Sequence, residues 1–207
     1  FFKALLFLGA GSVIHAFKDE QDIRNMGGVA KKLPYTFIFM LIGTLALTGF
    51  PFLSGFYSKE AIIEFAFFKN TLLGNYAVSI GILTAFLTSI YSWRLFFITF
   101  FGNYNNKDID INKTHESPVI MLIPLIILSL GAIFSGFYFK DIFIGNSSIN
   151  FWQESIFFLE YESHDHIPLW LLIITPVIII VSIPITYRLY IKDTNFLTGF
   201  KKTNLPL

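Results

Sequence analysis

The feature that most constrains this chain is an apolar stretch from Pro34 to Phe68, broken in its middle by Gly49-Phe50-Pro51-Phe52-Leu53-Ser54-Gly55. One straight crossing of a bilayer takes about 20 residues. The stretch has 35, so it fits a single crossing only as two half-helices joined at a break, with Pro51 and the two glycines supplying the interruption. At membrane depth the backbone groups freed by such a break must be satisfied by protein or by a watery cavity. Lys59 and Glu60 follow the break directly. Ionisable residues at a discontinuous helix mark a candidate ion or proton path.

Composition agrees with a membrane-embedded chain. Of the 207 residues, 54% are hydrophobic and only 14% charged, against about 25% charged in soluble domains. The mean hydropathy is +0.63. There is no basic patch of the kind that binds nucleic acid, so nucleic acid is not an expected partner. The absence of cysteine excludes disulfides, thiolate-held iron–sulfur clusters and zinc–thiolate sites.

The expected architecture is all-α: a polytopic transmembrane helix bundle with a discontinuous helix, forming a single transmembrane domain over residues 1–207. Five apolar segments stand out, at about 1–17, 34–68, 75–101, 118–139 and 167–191, the second broken near 49–55. Phe1-Phe2-Lys3 already lies inside an apolar run, as in a piece cut within a helix, and lacks the charged start and cleavage site of a signal peptide. If every segment crosses once, the loops 18–33 and 102–117 and the tail share one side, called X here. That side collects 11 of the 15 lysines and arginines. The positive-inside rule places X in the cytoplasm or matrix. The opposite side, Y, is acidic, with Asp141, Glu154, Glu160, Glu162 and Asp165. Were the broken segment a re-entrant hairpin, the later loops would change sides and the bias would vanish. On side Y, Ile149, Trp152, Ile156 and Leu159 recur at helical spacing, which suits an amphipathic interfacial helix or a surface helix packed on nearby loops.

Four residues are candidates for proton translocation. Lys3 lies in an apolar run about 22 Å along a continuous helix from Lys18, at 1.5 Å per residue. It reads either as a buried lysine able to exchange a proton or as one snorkelling to the Y interface. Ser58 is a good N-cap residue, and with it Glu60 would fall in the first turn of the second half-helix, where a carboxylate suits the helix dipole. A cation there does not, so Lys59 requires another reason. Glu64 shares a face with Glu60, nearer side Y. His15, near the X end of the first segment, is a candidate relay or an ordinary helix-end residue. His164-Asp165-His166 is a weak metal spacing and reads better as solvated loop. His115-Glu116-Ser117 precedes Pro118, where Ser or Glu would help start a helix. No catalytic, cofactor or metal-binding set emerges, and no glycine-rich phosphate loop is present.

Several of these stretches, namely Phe1-Phe-Lys-Ala-Leu-Leu-Phe-Leu-Gly-Ala-Gly-Ser-Val-Ile-His15, Glu20-Gln-Asp-Ile-Arg-Asn-Met-Gly-Gly28, Gly49-Phe-Pro-Phe-Leu-Ser-Gly-Phe-Tyr-Ser-Lys-Glu60, Tyr91-Ser-Trp-Arg94 and His115-Glu-Ser-Pro118, resemble the antiporter-like subunits of NADH–quinone oxidoreductase. These are the bacterial subunit L and its mitochondrial counterpart, chain 5 of respiratory complex I. The resemblance is specific through residue 118 and looser from 141 to 166. It implies the C-terminal part of an antiporter-like core that moves protons when coupled to quinone reduction. In it Lys3 matches a central lysine on a broken helix, Lys59 the lysine of the second broken helix on the way out, and Glu60 an acidic position often held by aspartate. It further implies other membrane-arm subunits, lipid and protons as partners. The chain itself would hold no redox centre and no cofactor, with NADH, FMN, Fe–S clusters and quinone bound by other subunits. The membrane would be a bacterial plasma (inner) membrane or a mitochondrial inner membrane. The alternatives are the large subunit of a multisubunit Na⁺/H⁺ antiporter, which shares the Gly-Phe-x-Ser-Lys-Glu type of break, and a structural membrane subunit that transports nothing.

Overall fold

The computed structural model describes residues 1–104, 111, 114–145, 147–155 and 168–192. Every regular element among them is helical: α1 (Phe2–Ala16), α2 (Pro34–Thr48), α3 (Ser54–Phe68), α4 (Leu72–Phe101), α5 (Val119–Phe143), α6 (Ser148–Trp152) and α7 (Leu169–Tyr187). A π-turn, Arg188–Lys192, extends α7. Helices α4, α5 and α7 with its extension are each long and apolar enough to cross a bilayer, and α1 and α2 are shorter apolar helices. The chain is a multi-pass membrane protein.

Helix limits follow local chemistry. Pro34 opens α2 at N1, where its missing N–H costs nothing. Helix α4 starts at Leu72 rather than Asn75, because the Thr71 hydroxyl accepts from the Gly74 amide at 3.1 Å. Helix α5 runs past Phe139 to Phe143 and so includes Lys140. The expected amphipathic helix is shorter than its spacing suggested. Helix α6 stops at Trp152, and a 3-10 turn (Gln153–Ser155) follows, beginning at Gln153 with φ 47°. Ile156 and Leu159 lie outside the described residues, as do His164, Asp165 and His166.

The radial pattern is inverted relative to a soluble protein. Ser12, Thr36, Thr44, Thr48, Ser89, Ser182 and Thr186 are buried, while Phe7, Ile62, Ile120, Ile127 and Leu169 face outward. Apolar side chains gain nothing by leaving lipid, so helices associate through small residues and hydroxyl hydrogen bonds. Ser89 Oγ on α4 meets Ser182 Oγ on α7 at 2.5 Å, and Ser12 Oγ on α1 bonds Thr36 Oγ1 on α2 at 2.8 Å and Ser117 Oγ at 2.6 Å.

The helix ends sort into two groups. At X, the largest apolar cluster joins Val13 and Ala16 of α1, the flanking Phe17 and Leu33, Met40 of α2, and Trp93, Phe96, Phe97 and Phe100 of α4, with Ile191 packed against it. At the other end, Phe67 of α3 lies edge-on to Trp170 of α7, with ring centroids 5.8 Å apart, and Lys140 of α5 sits over the Tyr57 ring. Helices α2 and α3 thus run from one end of the bundle to the other as one interrupted crossing.

Glu116 does not start α5. Its carboxylate accepts from the Tyr35 amide at 2.9 Å and from the Thr36 hydroxyl at 2.5 Å, and so caps the N-terminus of α2 from 80 residues away. Pro118 precedes α5 without any side-chain cap. Proline at α2 N1 leaves only the next amides unpaired, and a carboxylate there also meets the positive end of the helix dipole.

Candidate functional site

The break between α2 and α3 is a built structure with every terminal carbonyl of α2 engaged. Gly49 adopts φ +90°, a left-handed conformation that glycine takes at low cost. The Gly49 amide donates to Ala46 O at 3.2 Å and the Phe50 amide to Leu45 O at 2.9 Å. This is the Schellman ending. It leaves the carbonyls of Leu47 and Thr48, and both accept from Lys59 Nζ, at 3.1 and 2.8 Å. The lysine that suits its own helix start poorly therefore serves the C-terminus of the preceding helix, where a cation is favourable. An ammonium has three N–H donors. Two are held by these carbonyls.

The connection itself is a tight turn. Pro51 fixes the first corner, Phe52 takes φ +71° at the second, and the Leu53 amide donates to Phe50 O at 3.2 Å, the pattern of a type II turn. Helix α3 starts at Ser54, with Leu53 in the cap position. Ser58 is therefore not the N-cap; it lies inside the first turns and donates to Gly55 O at 3.2 Å. Lys59 and Glu60 fall in the second turn, not the first. The turn closes the break earlier than the N-cap preference of Ser58 indicated. Gly55 packs directly on the Ala46 carbonyl, so a Cβ there would collide with α2 backbone.

One turn further along, Glu60, Ile63 and Glu64 of α3 face Leu171 and Thr175 of α7 across a small recess. Glu60 Oε1 is buried and has no hydrogen-bond partner among the described residues. The Lys140 ammonium acts electrostatically on both Glu60 and Glu64 and lies 5.4 Å from the centre of the Tyr57 ring. Lys140 was missed in the sequence because it sits at the end of an apolar segment, where lysines ordinarily mark the interface.

The other candidates are not drawn into this site. Lys3 is exposed at the start of α1, which runs unbroken to Ala16. Its neighbour Phe2 faces Gly55 at the break, so the two regions adjoin without bringing Lys3 and Lys59 into a bonded pair. His15 is exposed in the last turn of α1, and its carbonyl accepts from the Lys18 amide at 3.2 Å. Among the described residues no three His, Asp or Glu side chains cluster as a metal site would require. The Glu20-Gln-Asp-Ile-Arg loop on side X is self-organised. Glu20 accepts from the Asp22 amide and from Asn25, and Arg24 pairs with Asp22 through Nε at 2.8 Å. These hydrogen bonds from Arg24 hold the Asp22 carboxyl down at about 2.

Comparison with known proteins fits this geometry. Residues 1–88 match the family described as NADH:quinone oxidoreductase/Mrp antiporter, TM. The chain is 54% identical over 158 residues to NADH-ubiquinone oxidoreductase chain 5 of Marchantia polymorpha, covering 76% of this chain and 24% of that protein. It is 49% identical over 168 residues to the protein of the same name from Chondrus crispus (79% and 25%), and 48% identical over 163 residues to that of Dictyostelium citrinum (79% and 24%). The chain thus spans about a quarter of the length of these relatives. With its interrupted helix, its lysine at the break and this extent of identity, the chain belongs to the NADH:quinone oxidoreductase/Mrp antiporter membrane family, on the branch of NADH-ubiquinone oxidoreductase chain 5.

Proposed function

We propose that this chain forms part of a proton-translocating membrane subunit of NADH–quinone oxidoreductase, passing protons through buried lysine, glutamate and water toward side Y as quinone is reduced. The observation that carries the reading is the placement of Lys59. Its ammonium spans the interrupted helix, bonded to Leu47 and Thr48, with Glu60 on the next residue facing the recess. Lysine can gain and lose a proton in a desolvated setting, and discontinuous helices are where transporters place such groups. Lys3 would deliver the proton from within the membrane arm, with His15 at the X end as a weaker relay. NADH, FMN, Fe–S clusters and quinone would be bound by other subunits, and the other membrane-arm subunits and lipid would be its partners. The lysine-rich loop 18–33 would face the matrix or cytoplasm by the positive-inside rule. The organisms of the relatives favour the mitochondrial inner membrane.

The test uses the full-length protein in its assembled complex, in inverted membrane vesicles, with Lys59→Ala and Lys59→Arg. Arginine keeps the charge and the donors but does not release its proton. Proton uptake per NADH oxidised should fall in both variants, while complex content on native gels stays at wild-type level in Lys59→Arg. Wild-type uptake in both would mean a structural subunit, and Lys59 would then be a helix cap alone.

A further inference from the structure

The proton-translocating reading leaves Glu64 and Lys140 without a task, although Glu64 borders the recess between α3 and α7 and the Lys140 charge reaches it from α5. Glu64 lies four residues after Glu60, one helical turn and about 6 Å nearer that side at 1.5 Å per residue. Both carboxyl groups border the same recess, beside Thr175 of α7. Like charges at this spacing repel, so two carboxylates stacked on one face need a reason. The structure supplies two. The Glu60 oxygen Oε1 is enclosed without a hydrogen-bond partner among the described residues, the situation of a carboxyl group that holds a proton rather than a charge. Lys140, from α5, brings a positive charge to both glutamates without forming an ion pair with either. Its position over the Tyr57 ring keeps it there.

Resting on the proposed function, we infer that Glu64 is a second proton carrier, which takes the proton from Glu60 and releases it to side Y, while Lys140 balances whichever carboxyl is left charged. The step is balanced. The Glu60 O–H bond breaks as an O–H bond forms on the Glu64 carboxylate. Glu60 is then a carboxylate within the field of Lys140, and Glu64 loses the same proton to side Y. The total charge of the pair is −1 while the proton is shared and −2 after release, so the fixed cation from α5 counters the repulsion that release creates. A simple salt bridge would not serve, because a lysine bonded to one carboxylate would fix the proton on the other.

The test is again the full-length protein in its assembled complex, in inverted vesicles, with Glu64→Gln, Glu64→Asp, Lys140→Met and Lys59→Arg compared side by side. Glutamine keeps size and polarity and cannot carry the proton. Proton uptake per NADH should drop in Glu64→Gln to the level of Lys59→Arg, return in Glu64→Asp, and drop in Lys140→Met, with complex content unchanged on native gels. Wild-type uptake in Glu64→Gln beside lost uptake in Lys59→Arg would overturn the role of Glu64 and leave the translocating function standing. Wild-type uptake in both would overturn the function and this inference with it. Equal loss in Glu64→Gln and Glu64→Asp would make Glu64 a packing residue and would also overturn the inference.

Discussion

Lys59 Nζ lies 2.8 Å from the carbonyl oxygen of Thr48, eleven residues earlier and on the other side of the break. One side chain thus belongs to two helices: its backbone to α3, its charge to the end of α2. Any proton chemistry at Lys59 is tied to the mechanical closure of the interrupted helix, since an ammonium that gives up its proton weakens its hold on a helix end.

Replacing Lys59 with methionine should loosen the break even where no protons are being moved. Two partly buried carbonyls would lose their donor, at a cost of at most about 1–3 kcal/mol each. The expected result is a lower melting temperature of the purified complex and faster proteolytic cleavage within 49–53, with Lys59→Arg close to wild type. Identical cleavage rates in Lys59→Met would show that the cap carries no stability.

Glu116→Ala should destabilise the N-terminus of α2 by about 1–2 kcal/mol, the usual range for a lost cap. The Tyr35 amide would be orphaned, and the Thr36 hydroxyl would keep only Ser12 as a partner. Hydrogen exchange should therefore rise at residues 35–37 while the amides of α5 stay protected. Faster exchange in the first turn of α5 instead would return Glu116 to the role its sequence position suggested.

Gly55→Val should block assembly outright. The collision is with Ala46 backbone, which cannot yield as a flexible side chain would, and overpacking of this kind costs about 1–3 kcal/mol or more. Gly49→Ala meets ordinary contacts instead and carries the conformational cost of a positive φ, about 1–2 kcal/mol. Complex content on native gels ranks the two: Gly55→Val below Gly49→Ala, and Gly49→Ala below wild type.

Asp22 gives a pH dependence confined to the X side. Its carboxyl titrates at about 2 instead of the ordinary 3.8, because Arg24 hydrogen-bonds its charged form. A group whose value is depressed on folding adds order that is full above 3.8 and disappears as pH falls through about 2. Protection of the Arg24 amide, which Asp22 also accepts at 2.9 Å, should fall over that interval. In Asp22→Asn the protection should be low and independent of pH.

The broad fold was legible because lipid leaves so few options. Apolar length, Pro51 and the flanking glycines were enough to mark the interrupted crossing. The identity of Lys59 as an anomaly was also legible, since a cation is out of place near a helix start. Its partner was not, because the carbonyls it serves become available only once the Schellman ending and the turn at Pro51 set the start of α3 beside the end of α2. Ser58 misled for a related reason. Its cap preference is local, whereas the true start at Ser54 is set by the turn. Glu116 lay beyond sequence reasoning altogether. Its target is separated by 80 residues, and nothing in His-Glu-Ser-Pro distinguishes a cap for the next helix from a cap for a distant one. Lys140 was hidden by its ordinary surroundings at a segment end.

The packing at the X end has a consequence for leakage. Phe17, Leu33, Phe96 and Phe100 are there less than 2% exposed, and Phe37 locks edge-on against Phe100 at 5.2 Å between ring centroids. These side chains close-pack the X end of the helices that carry the break. If Lys59 carries protons as proposed, they reach it sideways, from within the membrane, rather than through this packing. Under the proposed function, such a seal keeps protons that pass Glu60 and Glu64 from running back to X.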